Sequence, residues 1–163
     1  MPDSETRFTF YSMKHAVLLT LMFGLAAFGG EGKKPVAAPK PVITPGMKAA
    51  QQALDAGTYA LAARLYAAQV TAEEAKPTPS WVQLSFLYNA LGLALDNAAQ
   101  YDKALENYRK SLAIRLKQLG PDHSDVAISY NNIGAVHDSK GEYDQAPEYL
   151  QKSLAIDQKT KEA

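Results

Sequence analysis

The sequence predicts an all-α solenoid, in which antiparallel helix pairs stack side by side in about three repeats. Two observations carry this. Tyr101–Lys117 (YDKALENYRKSLAIRLK) aligns with Tyr143–Lys159 (YDQAPEYLQKSLAIDQK) with ten identities in seventeen positions and no gap, at a period of 42 residues. Fixed periods of this size mark repeat arrays. Within each period, apolar residues also fall at helical spacing: Tyr88, Leu91, Gly92 and Leu95 occupy i, i+3, i+4 and i+7, one stripe of a helix.

The register extends on both sides of the best-matched segment. Tyr88, Asn89, Leu91, Gly92 and Asp96 fall opposite Tyr130, Asn131, Ile133, Gly134 and Asp138, so each unit holds two helical segments, A and B. Helix B carries the second stripe, Ala104, Leu105, Tyr108 and Leu112. One period earlier, Tyr59, Ala62 and Tyr66 stand opposite Tyr101, Ala104 and Tyr108, while Ala49 and Ala50 replace the Leu–Gly pair. This is a degraded first repeat. The units run over about residues 46–76, 80–118 and 122–160.

The small residues have a packing reading. Gly92, Gly134, Ala104 and Ala146 lack bulk where A and B cross, which lets the two backbones approach closely. Gly57 and Gly141 sit at matching turns, where a helix end favours a left-handed residue. The segments Pro77–Ser80 and Gly120–Asp125 punctuate the chain, with Asp122 or Ser124 expected to cap the next helix A. Pro147 falls in a first helical turn, where it breaks no intrahelical bond.

Ahead of the repeats, Lys14 and His15 precede thirteen uncharged residues, Ala16 to Phe28, and then Gly29, Gly30 and Glu31. This is the layout of a secretory signal over residues 1–30, with cleavage expected after Gly29 and export to the periplasm or outside the cell. The run is short of the ~20 apolar residues of a spanning helix, and the alternative is retention as a membrane anchor. Acidic Asp3 and Glu5 are unusual in such a leader, and Met13 would make a better start. Residues 31–45 form a proline-rich linker, where KKPVAAPKPVITP denies helix donors and favours extended, solvated chain.

Tyr88-x-x-Leu91-Gly92 followed by Ala104-x-x-x-Tyr108 resembles the tetratricopeptide repeat pattern. The 42-residue spacing, with LGPDHSDVAISYNNIGAVHDSKGEYDQA and KSLAI, is similar to the longer repeat of kinesin light chains, over roughly residues 46–160. His137, Leu95 and Leu150 depart from its usual aromatics. The resemblance implies a right-handed superhelix whose inner wall is lined by the A helices. It also implies that the NN-motif asparagines, here Asn89, Asn131 and Asn132, contact an extended peptide. An amide suits that task because it both donates and accepts. The helical register puts Phe86, Asn89, Leu93, Asp96 and Asn97 opposite the core stripe of the second repeat, with Ile128, Asn131, Ala135, Asp138 and Ser139 matching them in the third. The peptide-binding set is therefore Phe86, Asn89, Leu93, Asp96, Asn131, Asn132, Ala135 and Asp138. The alternative reading is that the asparagines solvate the face or bond locally. Asp96 and Asp138, with no basic cluster, favour a basic or neutral ligand.

Other chemistry is poorly supported. Lys plus Arg and Asp plus Glu number 17 each, so no net field favours nucleic acid, an anionic membrane or an acidic substrate. Cysteine is absent, which removes disulfides, thiolate metal sites and a cysteine nucleophile. His123 reads as a loop residue and His137 as a packed substitute for an aromatic, with no HExxH or glycine-rich phosphate loop nearby. Tyr59, Tyr101 and Tyr143 read as repeat packing. The expectation is a non-enzyme with a protein or peptide partner, no nucleic acid, no small-molecule substrate, no cofactor and no metal. Membrane contact is expected only if the leader is retained. The last helix B ends near Lys159 without a polar cap, so Leu150, Leu154 and Ile156 are expected to drive a homo-oligomer, the second reading of the function.

Overall fold

The computed structural model describes residues 38–162, which belong to one compact unit. The predicted leader and residues 31–37 of the linker lie outside the described residues. Among the described residues six helices follow in order: α1 Pro45–Asp55, α2 Tyr59–Glu74, α3 Trp81–Asn97, α4 Tyr101–Leu119, α5 Ser124–Lys140 and α6 Ala146–Glu162. Among the described residues there is no strand. Each helix packs against its sequence neighbours, so α1/α2, α3/α4 and α5/α6 form three A/B pairs in a linear stack.

The helix starts follow from local chemistry. Thr44 caps α1, its hydroxyl accepting from the Met47 N–H at 3.1 Å, with Pro45 as the first helical residue. Proline is tolerated there because its missing donor has no partner to lose. Ser80 caps α3 in the same way. At α5 the expected cap is replaced: the His123 ring Nδ1, not Asp122 or Ser124, accepts from the Asp125 N–H at 3.1 Å. Asp122 instead accepts from Lys159 at the end of α6, 2.8 Å away.

Gly57, Ala99 and Gly141 occupy the same point of the three A–B turns, and all three have positive φ, at 73°, 57° and 83°. The middle repeat thus holds an alanine in a conformation that costs an L-residue about 1–2 kcal/mol. Only the tightness of the turn explains why it stays there: the N–H of Gln100 bonds back to the Leu95 carbonyl at 2.9 Å.

The crossings are close where the small residues predict. A Cβ on Gly92 would lie 2.8 Å from the Tyr108 ring, and one on Gly134 would lie 3.0 Å from Leu150. Leu87, Leu91, Ala94, Leu95, Ala104 and Tyr108 form the buried seam of the second repeat. Burial raises the Tyr108 hydroxyl well above its ordinary pKa, with the nearby Asp96 charge adding to it. The second and third repeats are joined by an apolar cluster in which Val126, Ala127 and Ile156 meet Leu112, Leu116 and Tyr130.

Polar groups reinforce that joint. The buried Arg115 donates to the Asp125 carbonyl and to Ser129 Oγ, both at 2.9 Å. Burial lowers its pKa, opposed by the Asp125 charge. Lys140 bridges Asp102 of the second repeat and Glu142 of the third, each at 2.7 Å. His137 is buried, stacked on Tyr149 at 5.3 Å between ring centroids, with Nδ1 2.5 Å from Glu142.

Candidate functional site

The A helices present the candidate wall. In α3, Phe86, Asn89, Leu93 and Asn97 are half-buried, placed opposite the Leu91/Leu95 seam by helical periodicity. In α5, Asn131, Asp138 and Ser139 are exposed, while Ile128, Asn132 and Ala135 are half-buried. The two helices therefore offer an apolar strip of Phe86, Leu93 and Ile128 flanked by amides. Asp96 is buried, so its carboxylate is not on the open part of this face.

The asparagines do not all stand free. Asn132 Nδ2 donates to Asn89 Oδ1 at 3.0 Å, tying α5 to α3. An amide has two donors and a two-lone-pair acceptor, so this bond leaves each partner further capacity. Asn131, the positional counterpart of Asn89, remains exposed. The repeat alignment pairs Asn89 with Asn131, whereas the folded molecule pairs it with Asn132, because adjacent A helices face each other through different sides. Asn97 is also engaged, donating to the Leu93 carbonyl of its own helix at 2.8 Å.

A residue outside the predicted set makes the most informative contact. Gln83, at the start of α3, is buried, and its side-chain amide meets both polar groups of Val42. Gln83 Nε2 donates to the Val42 carbonyl and Oε1 accepts the Val42 N–H, both at 2.9 Å. This is the paired bonding that one strand makes to another, performed by a side chain on an irregular segment. The end of the proline-rich linker is therefore docked at Val42 rather than fully solvated. Periodicity gave no hint of Gln83, because its counterparts are Pro41 and Asp125.

Two aromatic and basic pairs recur with the repeat. Lys110 Nζ lies 5.5 Å from the Tyr88 ring centroid, and its counterpart Lys152 lies 5.8 Å from Tyr130. Both lysines also pair with a glutamate one turn earlier, Glu106 and Glu148. Tyr88 is pushed up to about 12, first by burial and then by its hydrogen bond to Glu74. These groups fasten B to A and lie outside the predicted wall. Among the described residues, no group of three or more His, Cys, Asp or Glu side chains is placed to hold a metal, and no helix is long and apolar enough to cross a membrane.

Stacked A/B pairs with small residues at each crossing and a fixed period define a helical-repeat scaffold. Residues 83–159 match the tetratricopeptide repeat family, so the second and third helix pairs are tetratricopeptide repeats. Such repeats are generally non-enzymatic scaffolds for protein–protein interaction. Among solved structures it is similar to BtubC (BKLC) from P. vanneervenii, at 22% identity and a TM-score of 0.58, covering 68% of this chain and 43% of that one. This chain spans less than half the length of that relative, and the likeness bears on the fold alone. Comparison with curated proteins gives no match.

Proposed function

We propose that this protein is an exported scaffold that grips an extended segment of a partner protein along the wall of its A helices. One observation carries the reading. Gln83 holds Val42 by both backbone groups, and a peptide backbone in that geometry is independent of side-chain identity. The same helix continues into Phe86, Asn89 and Leu93, so a foreign chain laid along it would meet apolar contacts beside amides. Asn131 and Asp138 extend the face into α5. Export rests on the leader-like residues 1–30.

The experiment is affinity capture from the cell envelope, comparing wild type with Phe86→Ala and Asn131→Ala at matched helicity. Partners lost only from the variants support the groove, and partners retained equally on all three overturn it. Amino-terminal sequencing of the protein recovered from the cell tests export. A first residue at Gly30 supports cleavage, whereas an intact apolar run in the membrane fraction supports the anchor.

The competing reading is a structural subunit that assembles through its last helix. It is favoured by Leu150 and Leu154, which are 41% and 56% exposed.

A further inference from the structure

The stripe of α3 that forms the candidate wall is already occupied where the helix begins. Gln83, Phe86, Leu93 and Asn97 stand at i, i+3, i+10 and i+14, one stripe of a helix, so Val42 is held at the head of that stripe. The conformation of this occupant is informative. Over residues 38–44, Ala38, Pro41 and Thr44 are half-buried, whereas Pro39, Lys40, Val42 and Ile43 are exposed. A period of three is that of the polyproline II helix. Thr44, with φ −83° and ψ 160°, lies in the same region. Pro41 and Pro45 keep Lys40 and Thr44 extended, so the segment loses little freedom when it docks.

Gln83 is built to hold such a backbone. It is buried, and each face of its amide is used: Oε1 accepts the Val42 N–H at 2.9 Å, while Nε2 donates to the Val42 carbonyl at 2.9 Å and to Met47 Sδ at 3.0 Å. The thioether can only accept, which fixes the end of the amide that meets each group of Val42. Thr44 adds a bond from its hydroxyl to Gln69 Oε1 at 2.6 Å. Val42 turns its side chain to solvent, 74% exposed, so its hold on Gln83 rests on backbone bonds rather than on buried surface. Any residue with an N–H can make the same two bonds. A buried amide stripped of its partners costs more than one whose partners are replaced, so Gln83 favours exchange of one extended chain for another over vacancy.

We propose that Gln83 is a binding site for a proline-rich extended segment, and that residues 38–44 are its resident occupant, exchanged for a partner's segment of the same kind. The pattern it takes is a residue with a free N–H between prolines that keep the chain extended. This rests on recognition along the wall of α3, and it adds the chemistry of the ligand and the competitor that the ligand must displace.

The probe is a synthetic peptide of residues 38–44, blocked at both ends, titrated into the full chain while the amide spectrum is followed by NMR. Val42→Pro in the full chain removes the N–H that Gln83 accepts and leaves an extended segment, and unchanged circular dichroism verifies its fold. The peptide should shift the Gln83 and Phe86 signals and bind this variant about tenfold more tightly than wild type, the gain expected when the resident segment leaves the site open about a tenth of the time. A peptide with proline in place of the valine should not bind. Adding Gln83→Glu, which keeps the acceptor and removes the donor, should abolish binding. Three outcomes overturn the proposal. Equal affinity for wild type and Val42→Pro shows that residues 38–44 do not compete for the site. Binding that survives Gln83→Glu places the peptide elsewhere. A Val42→Pro chain that gives no shifts has no site for this class of segment. Groove recognition is judged separately, by the partners captured on Phe86→Ala, and it stands or falls without these results.

Discussion

The second and third repeats share one register, with ten identities in the seventeen positions of Tyr101–Lys117 and Tyr143–Lys159, yet bury matching positions to different degrees. Tyr108 is fully enclosed, and its counterpart Leu150 is 41% exposed. Leu112 packs into the inter-repeat cluster, whereas Leu154 meets solvent. Asp96 is buried and Asp138 exposed; Tyr101 is half-buried and Tyr143 is exposed. The difference lies in the neighbours. A repeat contacts only the units beside it, so the same residue is core in the middle of the stack and surface at its end. This also explains why Tyr143 does not serve the packing role that its register suggests.

The sharpest way to break the comparison is to truncate the paired residues. Tyr108→Ala should cost about 3–5 kcal/mol, the range for emptying a large buried site. Leu150→Ala should cost about 1 kcal/mol, because solvent already reaches the position. Urea denaturation of both variants checks this, and equal losses would mean that the third repeat is covered in solution.

A smaller contrast comes from the crossing glycines. Gly92→Ala should destabilise by about 1–3 kcal/mol, since the new methyl meets a ring that has nowhere to go. Gly134→Ala presses on the open Leu150 side chain, and the ~1 kcal/mol helix preference of alanine over glycine should offset most of its cost. Thermal melts of the pair measure the gap.

Ala99→Gly sharpens the comparison from the other direction. It gives the middle turn the residue that its flanking turns already have. Relief of the left-handed strain, partly offset by the greater freedom of glycine in the unfolded chain, should leave a gain of about 0.5–1 kcal/mol. Chemical denaturation reads it, and a loss would show that the turn relaxes around alanine without strain.

The smallest effect concerns pH at the joint. Hydrogen bonds from Lys140 and then His137 hold the Glu142 carboxyl below its usual value of 4.5. A lowered carboxylate pKa contributes stability above the unfolded value, and that contribution fades as pH falls through the folded one. Glu142→Gln should therefore melt slightly lower than wild type near neutrality, and the difference should vanish in acid. Melting temperatures across that range provide the check.

Much of this molecule was legible in its residues. The period located the repeats, and the 3.6-residue spacing separated the seams from the open faces. Gly92 and Gly134 marked the crossings because only a missing side chain admits Tyr108 or Leu150 so near. Of the candidate wall, periodicity set Phe86, Asn89 and Leu93, which are half-buried, apart from the buried seam of Leu91 and Leu95. It did not show that Asp96 is buried or that Asn132 bonds Asn89, since both depend on where the adjacent helix lies.

By itself, then, the sequence determined what is local and repeated: helix type, pairing and the small residues at each crossing. These follow from periodicity and backbone preference, which act within a few turns of chain. Tertiary structure alone decided which copy of each repeated residue is covered, which carboxylate is buried, and that Gln83 holds a segment 41 residues away. Those outcomes depend on contacts between units. A residue carries no mark of whether a neighbouring repeat will stand beside it.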